Sequence, residues 1–414
     1  MKKSNLTILS IETSCDETST AVLKISGEFP NSECIVRSHI VASQAALHAQ
    51  YGGVYPDLAI TEHRKNLPIL LEKSLKESNL FEEKKPSNIF KSTRMIIVKW
   101  RLKKLMFREP AVFENTWKII STIKKPKIDH IAVTYGPGIT PALWTGLNLA
   151  KALSIAWNIP LIPTNHMKGH IWSIFATGSN FKLYKPEFPL LVLLVSGGHT
   201  QIVLVRDFDQ YKLLGESRDD AVGEVFDKAA RALGMDYPGG PKIEALARTF
   251  QKSCHSELVS ESQKTLKQVQ GDNQHIKLPR PMIKTDDYEM SFSGLKTAVK
   301  ILAAKSNTDQ FPAIADEFQK AVTDVLIKKT SRAIEEFNPS QLIIAGGVSA
   351  NKYIREEFKK LENNYNIKII LPPRELTGDN ALMIAVAGYI KLMTQKKSLN
   401  RNLNSIQAQA RLPY

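Results

Sequence analysis

Two distant segments of the chain repeat one plan: a strand, a short polar turn and a returning strand. In the first, Leu6 to Glu12 alternates apolar and polar side chains as a half-buried strand does. Thr13 to Thr18 is the turn, and Ala21 to Ile25 returns. In the second, Leu190 to Val195 is a continuous apolar run, Ser196-Gly197-Gly198-His199-Thr200 is the turn and Ile202 to Val205 returns. Such a repeat, with helices between its copies, predicts an internally duplicated α/β chain with two facing lobes. The 414 residues suffice for it.

The intervening sequence supplies the helices. Leu67 to Ser78 spaces its leucines for a helix. Ile128 to Thr134 reads as a strand ending in Gly136-Pro137-Gly138, followed by a helix from near Pro141 to Trp157. Gln341 to Ala345 is a strand running into Gly346-Gly347. Asn351 to Leu361 is helical, and Ala381 to Met393 is an apolar helix. The longest apolar run, Phe188 to Val195, is too short to cross a bilayer. The N-terminal stretch turns acidic too early for a signal peptide. Cys15, Cys34 and Cys254 cannot build a disulfide framework. The expectation is a cytoplasmic protein with no membrane partner.

The net charge of +15 suits a polyanionic partner, but it is unevenly spread. Residues Phe81 to Lys127 hold 13 Lys/Arg and 4 Asp/Glu, a balance of +9 that leaves +6 for the rest. A charge run of this kind reads as a solvated face. The segment lacks clean periodicity and separates a helix from a strand that a short connection would join. Ser253 to Asn273 is polar, rich in Ser, Gln and Lys, and interrupts a helix that begins near Pro241. Both read as surface insertions.

Several constellations carry chemistry. His166-Met167-Lys168-Gly169-His170 places two imidazoles at i and i+4, on one helical face and within reach of one metal ion. Two surface histidines would show the same spacing. Met167 stands where a zincin has its catalytic glutamate, which weakens a metalloprotease reading. Gly378-Asp379-Asn380 precedes the last apolar helix, where Asp379 is either a helix cap or a third ligand. Ser196-Gly197-Gly198 follows a buried strand and can present backbone N–H groups to an anion, opposite the polar turn at Thr13 to Thr18. Ala345 to Asn351 is another strand-to-glycine junction, with Asn351 as a polar reader of a base or ribose. Asp227 is either a ribose acceptor or a surface carboxylate, and Tyr237-Pro238-Gly239-Gly240 is a turn by composition.

These motifs, taken in order, resemble the tRNA adenosine threonylcarbamoyltransferase family, TsaD in bacteria and once described as a glycoprotease. The matching segments are IETSCDETSTAV (11–22), GPG…GLNLAKALS (136–154), NHMKGH (165–170), LLVSGGHTQ (193–201), DDAVGEVFDKAARALGMDYPGGP (219–241), SFSGLKTAV (291–299), AGGVSAN (345–351) and GDNALMIAVAGY (378–389). The resemblance implies the two-lobed, duplicated actin-like ATPase fold (acetate kinase/hexokinase/heat-shock-protein/actin) with ribonuclease H-like lobes. It divides the chain into an N-terminal lobe at 1–165 carrying the insertion 81–127, a C-terminal lobe at 166–377 carrying the insertion 253–273, and a segment at 378–414 returning to the N-terminal lobe.

The resemblance also implies the chemistry. His166, His170 and Asp379 match metal ligands, for Fe(2+) first and Zn(2+) as the alternative. Leu194, Val195, Ser196, Gly197, Gly198, Asp227, Gly240 and Asn351 match positions that bind threonylcarbamoyl-adenylate. Asp16 and Glu17 match acidic, catalytic positions. Some relatives carry a tyrosine ahead of VSGG; here Leu194 stands there, so a phenolate ligand is not expected. The implied reaction moves the threonylcarbamoyl group from its adenylate to N6 of the tRNA adenosine 3′ of the anticodon, releasing AMP, with TsaB and TsaE as protein partners. The rivals are a small-molecule kinase of the same fold, a metalloprotease and a scaffold paralogue without metal ligands. Ser253 to Asn273 resembles peptides encoded by palindromic repeats inserted in genes of some intracellular bacteria, which makes it a tolerated passenger.

Overall fold

The order of five strands is the same in the two halves of the chain. β1 (Lys3–Glu12), β2 (Glu17–Glu28) and β3 (Asn31–Ser43) form an antiparallel meander. β4 (His130–Gly136) and β5 (Leu161–Asn165) add in parallel beyond β1, and a short β6 (Asn180–Lys182) closes the β3 edge. The sheet runs β5-β4-β1-β2-β3-β6. In the second sheet β7 (Leu190–Val195), β8 (Thr200–Asp207) and β9 (Gln210–Glu216) form the meander, and β10 (Gln341–Ala345) and β11 (Lys368–Ile370) add in parallel beyond β7. Its order, β11-β10-β7-β8-β9, repeats the first position by position. The duplication expected from the two polar turns is therefore a duplication of topology. The computed structural model describes residues 3–84, 93–259, 276–395 and 402–414.

Hydrophobic pattern explains where each strand sits. β7 pairs with parallel β10 and is buried along its whole length, which is why it reads as an unbroken apolar run. A core between the sheets joins Ile8 and Leu23 of the first to Val192, Leu194 and Ile343 of the second. The last helix, Ala381–Thr394, runs through this core and is buried at every residue from Ala381 to Ile390. That position accounts for its being apolar all round. It packs chiefly on β1, β2 and β5 of the first sheet. Because β6 also joins that sheet, the first sheet extends beyond residue 165. Among the described residues no helix is long and apolar enough to cross a membrane.

The basic segment departs from the sequence-based expectation. Within it, Thr93–Leu105 and Pro110–Thr122 are helices. Val98, Leu102, Met106, Val112, Phe113, Ile119 and Ile120 are buried in the core beneath the first sheet, beside Leu67, Leu71, Leu147 and Leu153. Buried Glu109 accepts hydrogen bonds from Thr145 (3.0 Å) and Asn148 (3.3 Å) and pairs with Arg64 at 3.7 Å. The segment is thus a helical pair docked into the lobe. Its dense cations mask the apolar spacing at 98, 102 and 106. Leu102 is fully buried, and Leu102→Ala is expected to cost about 2–5 kcal/mol in chemical unfolding. A loosely attached insertion would show no such cost.

Two other boundaries shift. The helix expected from Leu67 runs from Pro56 to Glu77, its first turns being too polar to reveal it. The helix expected near Pro241 spans Gly239–Val259 and so runs past Ser253. The rest of the polar segment, from 260 to Asn273, lies outside the described residues.

Candidate metal centre and substrate cleft

β5 ends in Asn165, whose side chain accepts hydrogen bonds from the N–H groups of Met167 (2.8 Å) and Lys168 (3.1 Å). This cap starts the short helix His166–Trp172, so His166 and His170 sit one turn apart on one face. Their rings lie 4.7 Å apart at 87°. Gly169 between them allows close packing on the last helix, since a Cβ there would stand 3.0 Å from Met383 and Ile384.

Asp379 comes from the loop ahead of that helix. The cap expected of Asp379 is supplied instead by Asn380, which accepts from the Met383 N–H at 3.0 Å. The Asp379 carboxylate is left to face the histidines, its Oδ1 3.1 Å from His170 Nε2 and 3.4 Å from His166 Nε2. Donor atoms of all three residues lie within 4.8 Å of one another. Two imidazole nitrogens and one carboxylate oxygen make a donor set that suits a divalent transition metal with positions left open.

Behind the ligands stands Glu12, fully buried at the end of β1. Its Oε2 lies 3.2 Å from His166 Nδ1 and accepts from Thr134 at 2.5 Å, while Oε1 accepts the Ser14 N–H at 2.6 Å. A carboxylate on Nδ1 keeps the proton there and turns the Nε2 lone pair toward the centre. Burial works against charge on His166, but Asp379 and Glu12 outweigh it and hold its pKa well above the usual histidine value. Burial likewise disfavours the Asp379 carboxylate, yet His166 and His170 keep it well below the ordinary range. His199 is pushed down to about 4 by burial and then by His166 and His170, so it is neutral at pH 7.

Two turns face this centre. In the first, Thr13 donates to the Ala142 carbonyl at 2.9 Å, and Gly146 leaves room for it, a Cβ there lying 2.5 Å from the hydroxyl. Asp16 is buried and accepts from the Tyr237 hydroxyl at 3.0 Å. Glu17 is raised well above a normal carboxyl by burial and then by Asp16 and Asp379. In the second turn, the Ser196 N–H is occupied by the His199 carbonyl at 2.8 Å. Gly197 and Gly198 border open space. Gly223 lets a helix N-terminus meet this turn, since a Cβ there would lie 2.6 Å from the Ser196 carbonyl oxygen.

The other expected binding residues divide. The side chains of Leu194 and Val195 are buried in the hydrophobic cores, so only their main chain is available to a ligand. Gly240 borders open space beside Asp227, whose carboxylate accepts the Gly239 N–H at 2.7 Å. Asn351 Oδ1 caps Ile354 at 3.0 Å, and its buried Nδ2 has no partner among the described residues. Sequence reasoning missed Glu12 and treated Tyr237 only as part of a turn. A carboxylate closing an otherwise buried strand is a signal for the first. Nothing local marks the second, whose partner is distant in sequence.

Burial, with a smaller push from Asp16, raises the Asp227 carboxyl to about 6. Its folded value thus exceeds the unfolded one near 4. Ionisation therefore costs stability that is fully lost above the folded value and absent below the unfolded one. Asp227→Asn is expected to stabilise the free protein by about 1–2 kcal/mol at pH 8 and by nothing at pH 4. Thermal unfolding across that range checks it.

A family model described as TsaD, tRNA N6-adenosine threonylcarbamoyltransferase, matches residues 35–84 and 118–386. The unmatched stretch between the blocks, 85–117, takes in the first docked helix and part of the second. A protein of that name from Thermosipho africanus is 38% identical over 401 residues, covering 96% of this chain and 98% of its own. One from Bacillus cereus is 38% identical over 409 residues, covering 96% of each. Among solved structures, full-length HypF in its phosphate- and nucleotide-bound form aligns with a TM-score of 0.51 at 10% identity, over 95% of this chain and 47% of HypF. That likeness concerns the fold alone and, with the duplicated topology, gives the chain the two-lobed actin-like fold.

Proposed function

The chain belongs to the tRNA N6-adenosine threonylcarbamoyltransferase family, and from that premise we propose how its cleft performs the transfer. The enzyme moves the threonylcarbamoyl group from threonylcarbamoyl-adenylate to N6 of the adenosine 3′ of the anticodon, in tRNAs that read codons beginning with A, and AMP leaves. The difficulty is the nucleophile, because the N6 lone pair is delocalised into the purine. The acyl carbon must be polarised and the leaving phosphate stabilised.

The observation that carries the assignment is the convergence of His166, His170 and Asp379 between the two turns. These residues would hold one divalent ion, Fe(2+) in the first instance and Zn(2+) as the alternative, supplying Lewis acidity at the anhydride oxygens. Glu12 fixes the His166 ring. The N–H groups of Gly197 and Gly198 are directed at the phosphate, a role the engaged Ser196 N–H does not share. Asp227 and Gly240 receive the ribose, and the unpartnered Asn351 amide donates to the base or ribose. Of the two acids, Asp16 is the proton acceptor for N6. Glu17 is the poorer candidate, since burial and then Asp16 raise its carboxyl well above the ordinary value.

The lobes are assigned to 1–165 and 166–377, with β6 of the second segment lent to the first sheet and 378–414 returning to the first lobe. TsaB and TsaE are the proposed protein partners and the cytoplasm the proposed location. The test is reconstitution with these partners, unmodified tRNA and threonylcarbamoyl-adenylate, followed by mass spectrometry of nucleosides. Threonylcarbamoyladenosine and AMP should appear in equal amounts. Adenylate consumption that is indifferent to tRNA, or phosphorylation of a small molecule, would overturn the reading. Metal analysis of the protein purified without oxygen decides between iron and zinc.

A further inference from the structure

The helix that carries the two histidines has a second working face. At about 100° per residue, Lys168 and Trp172 point roughly away from His166 and His170. Both line a separate cavity of about 220 Å³, whose other walls include Tyr135, Tyr211, Lys391 and Tyr414. It is small beside the usual range of ligand pockets, which start at roughly 300 Å³.

The polar groups of the wall are mostly engaged with one another. Trp172 Nε1 donates to the Tyr211 hydroxyl at 2.8 Å, which donates to the Phe208 carbonyl at 2.7 Å. Tyr414 donates to Gln201 at 2.6 Å. Three donors are left facing the space. Lys168 Nζ stands 4.0 Å over the Tyr211 ring, with no hydrogen-bond acceptor among the described residues. Lys391 Nζ gives one hydrogen to the Pro163 carbonyl at 2.6 Å and retains two. The Tyr135 hydroxyl has no partner among the described residues.

Among the described residues no carboxylate lies within ion-pair distance of either lysine, and Asp209 acts on Lys168 only from longer range. Two half-buried ammonium groups lining one cavity without a counter-ion are costly, and an anion between them removes that cost. Of the groups left facing the space, the two ammonium groups only donate, and these favour a ligand that only accepts. We propose that this cavity binds a compact dianion, of the phosphate monoester or dicarboxylate class, between Lys168 and Lys391. The proposal is independent of the reaction at the metal centre, since it uses neither the histidines nor the glycine turn.

The test is calorimetric titration of the full chain with inorganic phosphate, with succinate and with acetate, at physiological salt. One of the two dianions should bind saturably at one site per chain, and acetate at least tenfold more weakly. Lys168→Gln should weaken binding at least tenfold, and Lys168→Gln with Lys391→Gln should abolish it. Lys168→Gln removes only a contact with a tyrosine ring, so this variant should fold as the parent does. His166→Ala with His170→Ala should bind the dianion as the parent does. The proposal is overturned if neither dianion binds. It is equally overturned if binding survives in Lys168→Gln, or if it vanishes with the histidines while the lysines remain.

Discussion

His166→Ala combined with His170→Ala is expected to abolish metal binding and to lower nucleoside modification on the order of a thousandfold or more. The change leaves Asp379 as the one ligand, and a single carboxylate cannot hold a transition metal tightly. Loss of about 4 kcal/mol of Lewis-acid stabilisation corresponds to that factor in rate. The helix survives, because its Asn165 cap and the packing of Met167, Ile171 and Trp172 do not involve the imidazoles. Metal content and activity are measured on the same preparation. Full occupancy in a folded double variant would place the ligands elsewhere.

Glu12→Ala gives the second large effect, and it acts on two quantities. Removing the carboxylate leaves the Thr134 hydroxyl and the Ser14 N–H without their buried acceptor and leaves His166 Nδ1 with the Ser14 hydroxyl at 3.1 Å alone. The expected loss of stability is about 3 kcal/mol, and metal affinity should fall about 10–100-fold. Glu12→Gln separates the two, keeping hydrogen-bonding capacity while losing the charge that orients and strengthens His166. It should restore most of the stability and little of the affinity. The metal-free protein carries a further signature. The folded pKa of His166 is raised, so its pairing with Asp379 and Glu12 stabilises fully below the ordinary histidine value. That contribution is lost as pH rises through the folded value. Metal titration and urea unfolding at several pH values read both effects, and an unchanged metal affinity in Glu12→Ala would refute the orienting role.

Local pattern revealed what local forces decide. The unbroken run at Leu190 to Val195 and the glycine-ended strand at Gln341 to Ala345 have the bounds their apolar residues suggest. The i,i+4 histidines were legible from spacing, and the choice of Asp379 rested on the resemblance. What stayed hidden depends on partners far away in the chain. Asp379 and Asn380 are equally good caps on paper, and tertiary packing gives the cap to Asn380. Leu194 and Val195 lie in a binding motif yet spend their side chains on the cores. The helices at Thr93–Leu105 and Pro110–Thr122 read as charged filler because Arg94, Lys99, Arg101, Lys103 and Lys104 outnumber the buried Val98 and Leu102 in the first of them. Tyr237 meets Asp16 across 221 positions, a distance no local pattern can encode.

The last helix both fills the core between the sheets and delivers Asp379, and this sets an order of events during synthesis. His170 and Asp379 are 209 positions apart. At roughly 5–20 residues per second, the nascent chain displays its histidine pair for about 10–40 s before the third ligand has been made. Over that interval the inner faces of both sheets also lack their cover. A ribosome that stalls before the final helix therefore leaves a chain with neither a closed interior nor a complete metal site, so a prematurely ended product cannot persist as a partly active enzyme.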